Sequence, residues 1–243
     1  MIRVLYKFFI SMLIIFFCIG CTKREEKLIM VTEASFAPYE YYSDGKIVGV
    51  DIDIAREIAF ELGKKLVVKD VSFDSIIHEV KSGKSDIGIA GISYSEERAK
   101  QVAFSDNYTT SRQVVIVRKD SSISNIKDIN NKKIAVQLGS VADIYVSEKY
   151  NAKNIVRQKK YLAAIQDLKD NKVDCVVMDE LPANQILFQN NDIKKINDIL
   201  MEDNYGIIVN KNNKELLQVI NAVINRLKKE GKIDQYILNH SSN

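Results

Sequence analysis

Apolar positions along this chain fall into two alternating kinds of run. Short continuous runs, several of them rich in β-branched residues, occur at LIMVT (28–32), KLVVKDV (65–71), DIGIA (86–90), RQVVIVR (112–118), KKIAV (132–136), DCVVM (174–178) and YGIIV (205–209). Runs of this length and composition predict buried strands. Segments with helical spacing lie among them. DIDIAREIAFELG (51–63) puts Ile52, Ile54, Ala55, Ile58, Ala59 and Leu62 on one face and stops at Gly63, a residue suited to a helix end. FDSIIHEVKSG (73–83), YLAAIQDLKDN (161–171) and KELLQVINAVINRLKKEG (214–231) repeat the helical pattern. Such alternation predicts parallel sheets covered by helices, an α/β fold.

The pattern also echoes itself. KSGKSDIGIAG (81–91) and KDNKVDCVVMD (169–179) share a helix end, a Lys, an Asp, four apolar residues and a turn, with Gly91 opposite Asp179. Either this is the common grammar of α/β chains, or the chain holds two similar α/β lobes. Ligands of open α/β sheets bind beyond the carboxyl ends of strands, and both Gly91 and Asp179 stand at such ends. The length of 243 residues accommodates two lobes of about 100 residues each. A formal charge of +3, evenly spread, gives no reason to expect nucleic acid as a partner.

The first twenty residues read differently. Arg3 and Lys7 precede the apolar run FFISMLIIFFCI (8–19), then Gly20-Cys21 and the polar TKREEK. A basic start and an apolar run too short for a membrane span predict an export signal over 1–20. The Gly-Cys junction resembles the lipidation site of bacterial lipoproteins, with Cys21 as the acylated (palmitate-bearing) first residue, although Cys18 and Ile19 replace the usual residues before Gly. The alternative is a cleaved signal followed by an incidental cysteine. With Cys18 removed and Cys21 acylated, Cys175 has no disulfide partner within the chain.

Enzyme signatures are weak. The GKS at 83–85 lacks the upstream Gly of a phosphate-binding loop, His78 standing in its place. No GxGxxG or HExxH occurs, and His78 and His240 read as surface residues. No catalytic residue, cofactor or metal ligand is therefore expected. Binding features are stronger. In AGISYSEERAKQVAFSDNY (90–108) Ser95, Glu96 and Glu97 mark a helix start, which favours anions, yet Arg98 falls in its first turn. Either the two glutamates balance Arg98 and all three face water, or Arg98 and the helix N–H groups clamp a carboxylate. Asp179 either caps ELPANQIL or accepts hydrogen bonds from an ammonium. The two sharper readings together would recognise an α-amino acid.

At these residues the chain resembles family 3 of the bacterial extracytoplasmic solute-binding proteins, the receptors of polar amino acid ABC transporters. The resemblance rests on TEASFAPYEYYSDGKIVGVDIDIAREIAFELG (32–63), FDSII (73–77), DIGIAGISYSEERAKQVAFSDNY (86–108), IAVQLGS (134–140), VDCVVMD (173–179) and YGIIV (205–209). It implies a two-lobed periplasmic-binding-protein-like fold: lobe 1 over 28–110 plus 206–243, lobe 2 over 111–205, and two hinge segments near 108–113 and 203–207. It also implies that Arg98 holds the ligand carboxylate and Asp179 the ammonium, that Ala90 and Gly91 offer backbone groups and Ser93 a hydroxyl, and that Phe36 and Phe73 sandwich the ligand side chain. Ser140 and Val141, at a helix start, match contacts to the carboxylate or side chain, with simple capping the alternative for Ser140.

Specificity then rests on Glu33, Gln137 and Met178. A glutamate facing an enclosed pocket attracts a guanidinium or ammonium, which favours arginine or lysine; Gln137 equally suits the amide of glutamine. The implied partners are a free amino acid, a membrane permease with its ATPase, and the membrane itself through the N-terminal lipid, with the receptor a monomer outside the cytoplasm. Two other classes stay open: a dehydratase-type enzyme on the same fold, with Glu33 as its acid or base, and a sensory module. The chain stops soon after IDQYILNH, which argues against a covalently attached sensor.

Overall fold

The computed structural model describes residues 25–241; the export signal expected over 1–20 and the lipid site expected at Cys21 lie outside the described residues. The first part of the chain builds β1 (Lys27–Thr32), β2 (Ser35–Phe36), β3 (Glu40–Ser43), β4 (Lys46–Val48), α1 (Val50–Glu61), β5 (Lys65–Asp70), α2 (Ile76–Lys81), β6 (Ile87–Gly88), α3 (Glu96–Ala99) and β7 (Ala103–Phe104). The middle builds β8 (Thr109–Arg118), β9 (Ile134–Gln137), α4 (Val141–Lys149), β10 (Ile155–Gln158), α5 (Tyr161–Lys169), β11 (Cys175–Asp179), α6 (Glu180–Gln189) and β12 (Ile193–Tyr205). The chain then returns through β13 (Ile208–Val209), α7 (Lys214–Lys229) and α8 (Lys232–Ser241).

These strands form two five-stranded sheets, in the orders β5-β1-β6-β13-β7 and β10-β9-β11-β8-β12. The expected parallel pairing holds for β5-β1-β6 and for β10-β9-β11. It fails for the remaining two strands of each sheet, where β13 runs antiparallel to β6 and β7, and β8 antiparallel to β11 and β12. The reason is connectivity. β8 and β13 carry the chain between sheets directly, without the helical crossover that a parallel neighbour requires. For the same reason YGIIV does not form one strand: Tyr205 ends β12 in the second sheet, while Ile208 and Val209 enter the first as β13.

The internal echo is realised in the topology, because β6 and β11 hold the same third place in their sheets. A three-stranded sheet, β2-β3-β4, sits on the first lobe and turns at Asp44 and Gly45, both with positive φ. Helix α7 begins where the Asn213 side chain accepts from Leu216 N at 3.2 Å. Its stripe of Leu216, Ile220, Val223, Ile224 and Leu227 is buried in one cluster with Ile54 and Ile58 of α1. Burying each such side chain stabilises by roughly 1.5–3 kcal/mol, so returning the C-terminal helices to the first lobe is strongly favoured.

Between the sheets the chain crosses twice, side by side. Thr109, Thr110 and Ser111 of β8 pair with Tyr205, Asn204 and Asp203 of β12. Beside these crossings Asp203 and Gln113 are buried, and Gln113 Nε2 donates to Asp203 Oδ2 at 3.3 Å.

Candidate functional site

The carboxyl end of β1 delivers Glu33, β2 delivers Phe36, and the loop after β6 delivers Ala90, Gly91 and Ser93. From the other lobe come Gln137 at the end of β9, Ser140 and Val141 at the start of α4, and Asp179 at the end of β11. With Phe73 these residues line one narrow cavity between the lobes, whose free volume of about 10 Å³ is room for about a single water, so the side chains of the two lobes nearly meet across it. Arg98 does not line this cavity; it lines the adjoining groove with Phe73, Gly139 and Ile144.

Arg98 is nonetheless tied to the cavity wall. Its guanidinium donates through Nη1 to the Ser93 carbonyl at 2.6 Å and through Nη2 to the Gly139 carbonyl at 2.8 Å. The second bond crosses from one lobe to the other. Its Cζ stands 5.6 Å from the centre of the Phe73 ring. Ser95 caps α3 as expected, accepting from Arg98 N at 3.2 Å. The reading in which Arg98 faces water beside Glu96 and Glu97 is overturned, since Arg98 is only 4% exposed. Burial pushes its pKa down and Asp203 is the foremost opposing charge; an arginine nevertheless keeps its proton.

Asp179 is 4% exposed and makes no capping bond to α6, which removes the simple capping role. Its Oδ1 accepts from Ser111 Oγ at 2.8 Å, from Gln113 Nε2 at 2.7 Å and from the Tyr205 hydroxyl. Burial, and then the charge of Asp203, raise its carboxyl to about 7 despite these donors. Asp203 accepts from Ser93 Oγ at 2.7 Å and from Gln113 Nε2 at 3.3 Å, and its own carboxyl is raised by burial. Two buried carboxyls and one buried guanidinium therefore share this corner, a field poised for a ligand carrying both charges.

Gly91 is fixed from behind. Its N–H donates to Asp51 Oδ2 at 3.0 Å, and a Cβ at this position of φ 51° would meet the Phe36 ring at 2.8 Å, so glycine is required. Asp51 is fully buried and raised to about 6, by burial first, while Glu40 beside it is raised further by burial and by Asp51. Glu40 also lines the cavity.

The aromatic walls are built differently from a simple sandwich. The Phe36 ring stacks on Tyr39 at 5.9 Å and on Tyr161 at 5.5 Å, and Phe73 is faced by Arg98. Ser140 lines the cavity and also caps α4, accepting from Asp143 N at 3.1 Å. Met178 is fully buried and lines a neighbouring groove with Leu162 and Pro182, not the cavity. Sequence reasoning missed Glu40, Tyr161 and Asp203. Glu40 carried a signal, a lone acid among aromatics in APYEYY; Tyr161 and Asp203 looked like an ordinary helix start and a surface acid.

A family model described as bacterial extracellular solute-binding proteins, family 3, matches residues 28–240. The arginine-binding extracellular protein ArtP of Bacillus subtilis (strain 168) is 30% identical over 221 residues, which cover 89% of this chain and 86% of that protein. Among solved structures, the arginine-bound form of truncated ArgBP from T. maritima superposes with a TM-score of 0.80 at 39% identity, covering 83% of this chain and 96% of that one. An ancestral arginine-binding protein bound to glutamine gives a TM-score of 0.83 at 37% identity, covering 89% and 98% of the two chains.

Proposed function

This chain belongs to the bacterial extracellular solute-binding proteins, family 3, and from that premise we propose that it captures a free amino acid outside the cytoplasm and hands it to an ABC transporter permease and its ATPase. The observation that carries this reading is the enclosed cavity whose walls come from both lobes, with Asp179 of one lobe in its wall and Arg98 of the other bonded to the Ser93 and Gly139 carbonyls beside it. In this reading Arg98 holds the α-carboxylate, Asp179 the α-ammonium, and Ala90, Gly91, Ser93, Ser140 and Val141 the polar contacts around them. Lobe 1 comprises 28–110 and 206–243, lobe 2 comprises 111–205, and the lobes close about the paired β8 and β12 crossings. Closure is driven by contacts that a ligand makes only when both lobes engage it. Cys21 carries the lipid that holds the receptor, a monomer, at the membrane.

A basic ligand, arginine before lysine, fits best. Glu33 is 2% exposed in the cavity wall, and a buried carboxylate favours a cation. The relatives named for arginine support this choice. Glutamine is the second reading, favoured by the Gln137 amide in the same wall and by the ancestral relative bound to glutamine.

Calorimetric titration with arginine tests the reading through its pH dependence. Facing an ammonium, Asp179 must be ionised, yet its carboxyl is raised to about 7. Acid keeps it protonated, so affinity falls as pH drops below about 7, by up to about tenfold per pH unit. Near neutrality binding releases a proton, read as a binding enthalpy that varies with the ionisation heat of the buffer. Affinity that stays level from about pH 5 to 8 with no proton release would contradict the role given to Asp179.

A further inference from the structure

Glu33 does not face the cavity alone. Both of its carboxylate oxygens accept from Ser35 Oγ, at 2.7 and 2.8 Å, and Oε2 also accepts from Gln137 Nε2 at 3.3 Å. Gln137 is held in turn by a bond from the same Nε2 to the Lys159 carbonyl at 3.1 Å. A cation completes the set: Lys160 Nζ stands 3.3 Å from Glu33 Oε1. The Lys160 side chain is 49% exposed and Glu33 is 2% exposed, so a largely hydrated ammonium reaches in to neutralise a carboxylate that solvent barely touches. Lys160 stands immediately before α5 in the second lobe and Glu33 immediately after β1 in the first. The pair is therefore made across the cleft.

We propose that Lys160 is a specificity-determining residue: a latch from the second lobe onto Glu33 that the side chain of a basic ligand must displace and that a neutral ligand leaves in place. The inference rests on the amino acid reading above and deepens it. Glu33 has one charge to neutralise, and its two oxygens already hold Ser35 and Gln137. A guanidinium arriving at this end competes with the ammonium for the same carboxylate. An amide arriving there meets a neutral pair and the Gln137 amide. Lys160 thus narrows the preference that an unpaired Glu33 would have for arginine over glutamine, and it draws the lobes together when the bound ligand is neutral.

Titration of arginine and glutamine into the intact protein and into Lys160→Met tests this. The substitution keeps the aliphatic stem at a half-exposed position, and Lys160→Gln serves as a second charge-free variant should Met impair folding. Arginine affinity is expected to rise by about fivefold, the scale of losing one partly exposed competing ion pair, while glutamine affinity stays the same or falls. Lys160→Arg, which keeps the cation, is expected to retain the original ratio between the two ligands. Equal changes for both ligands, or weaker arginine binding in Lys160→Met and Lys160→Gln, would overturn the latch. If the unaltered protein binds no amino acid at all, the reading beneath it fails first and the latch falls with it.

Discussion

Asp179→Asn is expected to lower amino acid affinity by at least about 100-fold while leaving the fold intact. The carboxylate lies 4% exposed in the cavity wall, so an ammonium held there would be away from water. Removing one partner of such a buried charge pair costs roughly 3–5 kcal/mol, and every 1.4 kcal/mol is about tenfold in affinity. The amide matches the carboxylate in shape, and its oxygen still accepts from Ser111 and Tyr205. It also removes a charge that burial and Asp203 disfavour. The thermal midpoint of the ligand-stripped variant should therefore hold steady or rise. The variant should also lose the affinity change near pH 7, which separates a ligand contact from a structural role. Titration calorimetry and a melting curve check both halves.

Arg98→Ala is expected to reduce affinity by about 10- to 150-fold, the scale of one lost charge-assisted hydrogen bond of roughly 1.5–3 kcal/mol. Two effects combine. The ligand carboxylate loses its cation, and the bond from Arg98 to the Gly139 carbonyl, which joins the lobes, disappears. Arg98→Lys should recover part of the charge and little of the geometry, because an ammonium lacks the planar fork that meets two acceptors at once. Binding near the original affinity in Arg98→Ala, measured by the same titration, would remove Arg98 from the site.

Strand and helix alternation made the α/β class legible, since continuous apolar runs such as DCVVM are buried on both faces. The antiparallel strands β8 and β12 were not legible as such, because strand direction depends on where the chain crosses between lobes and not on local spacing. Arg98 and Asp179 stood out because their surroundings in sequence, a helix start and a strand end, made a charge there unusual. Asp51 did not, because it sits in the first turn of a helix where an acid is ordinary, and its significance appears only where it meets Glu40 and the Gly91 N–H in space. Tyr161 opens α5 at an apolar position of the helix, so its stacking on Phe36 across the cleft was hidden by a pattern it also satisfied. Lys160 was hidden similarly, a lysine before a helix being the commonest of surface features until the lobes bring it to Glu33. Met178 erred in the other direction. Its neighbour Asp179 lines the cavity, but alternate residues of a strand face opposite sides, and Met178 turns away.

If the cleft reads an α-amino acid by both of its charges, loss of either charge should abolish binding. Thermal denaturation of residues 22–243, unfolded and refolded to strip bound ligand, tests it with all common amino acids and with agmatine, which is arginine without its carboxylate. A ligand at 100 times its dissociation constant adds about 2.7 kcal/mol, which raises the midpoint of a chain this size by about 5–10 °C. Such a rise is expected with arginine, smaller rises with lysine or glutamine, and none with agmatine. Agmatine as effective as arginine, or no rise with any amino acid, would contradict recognition by both charges.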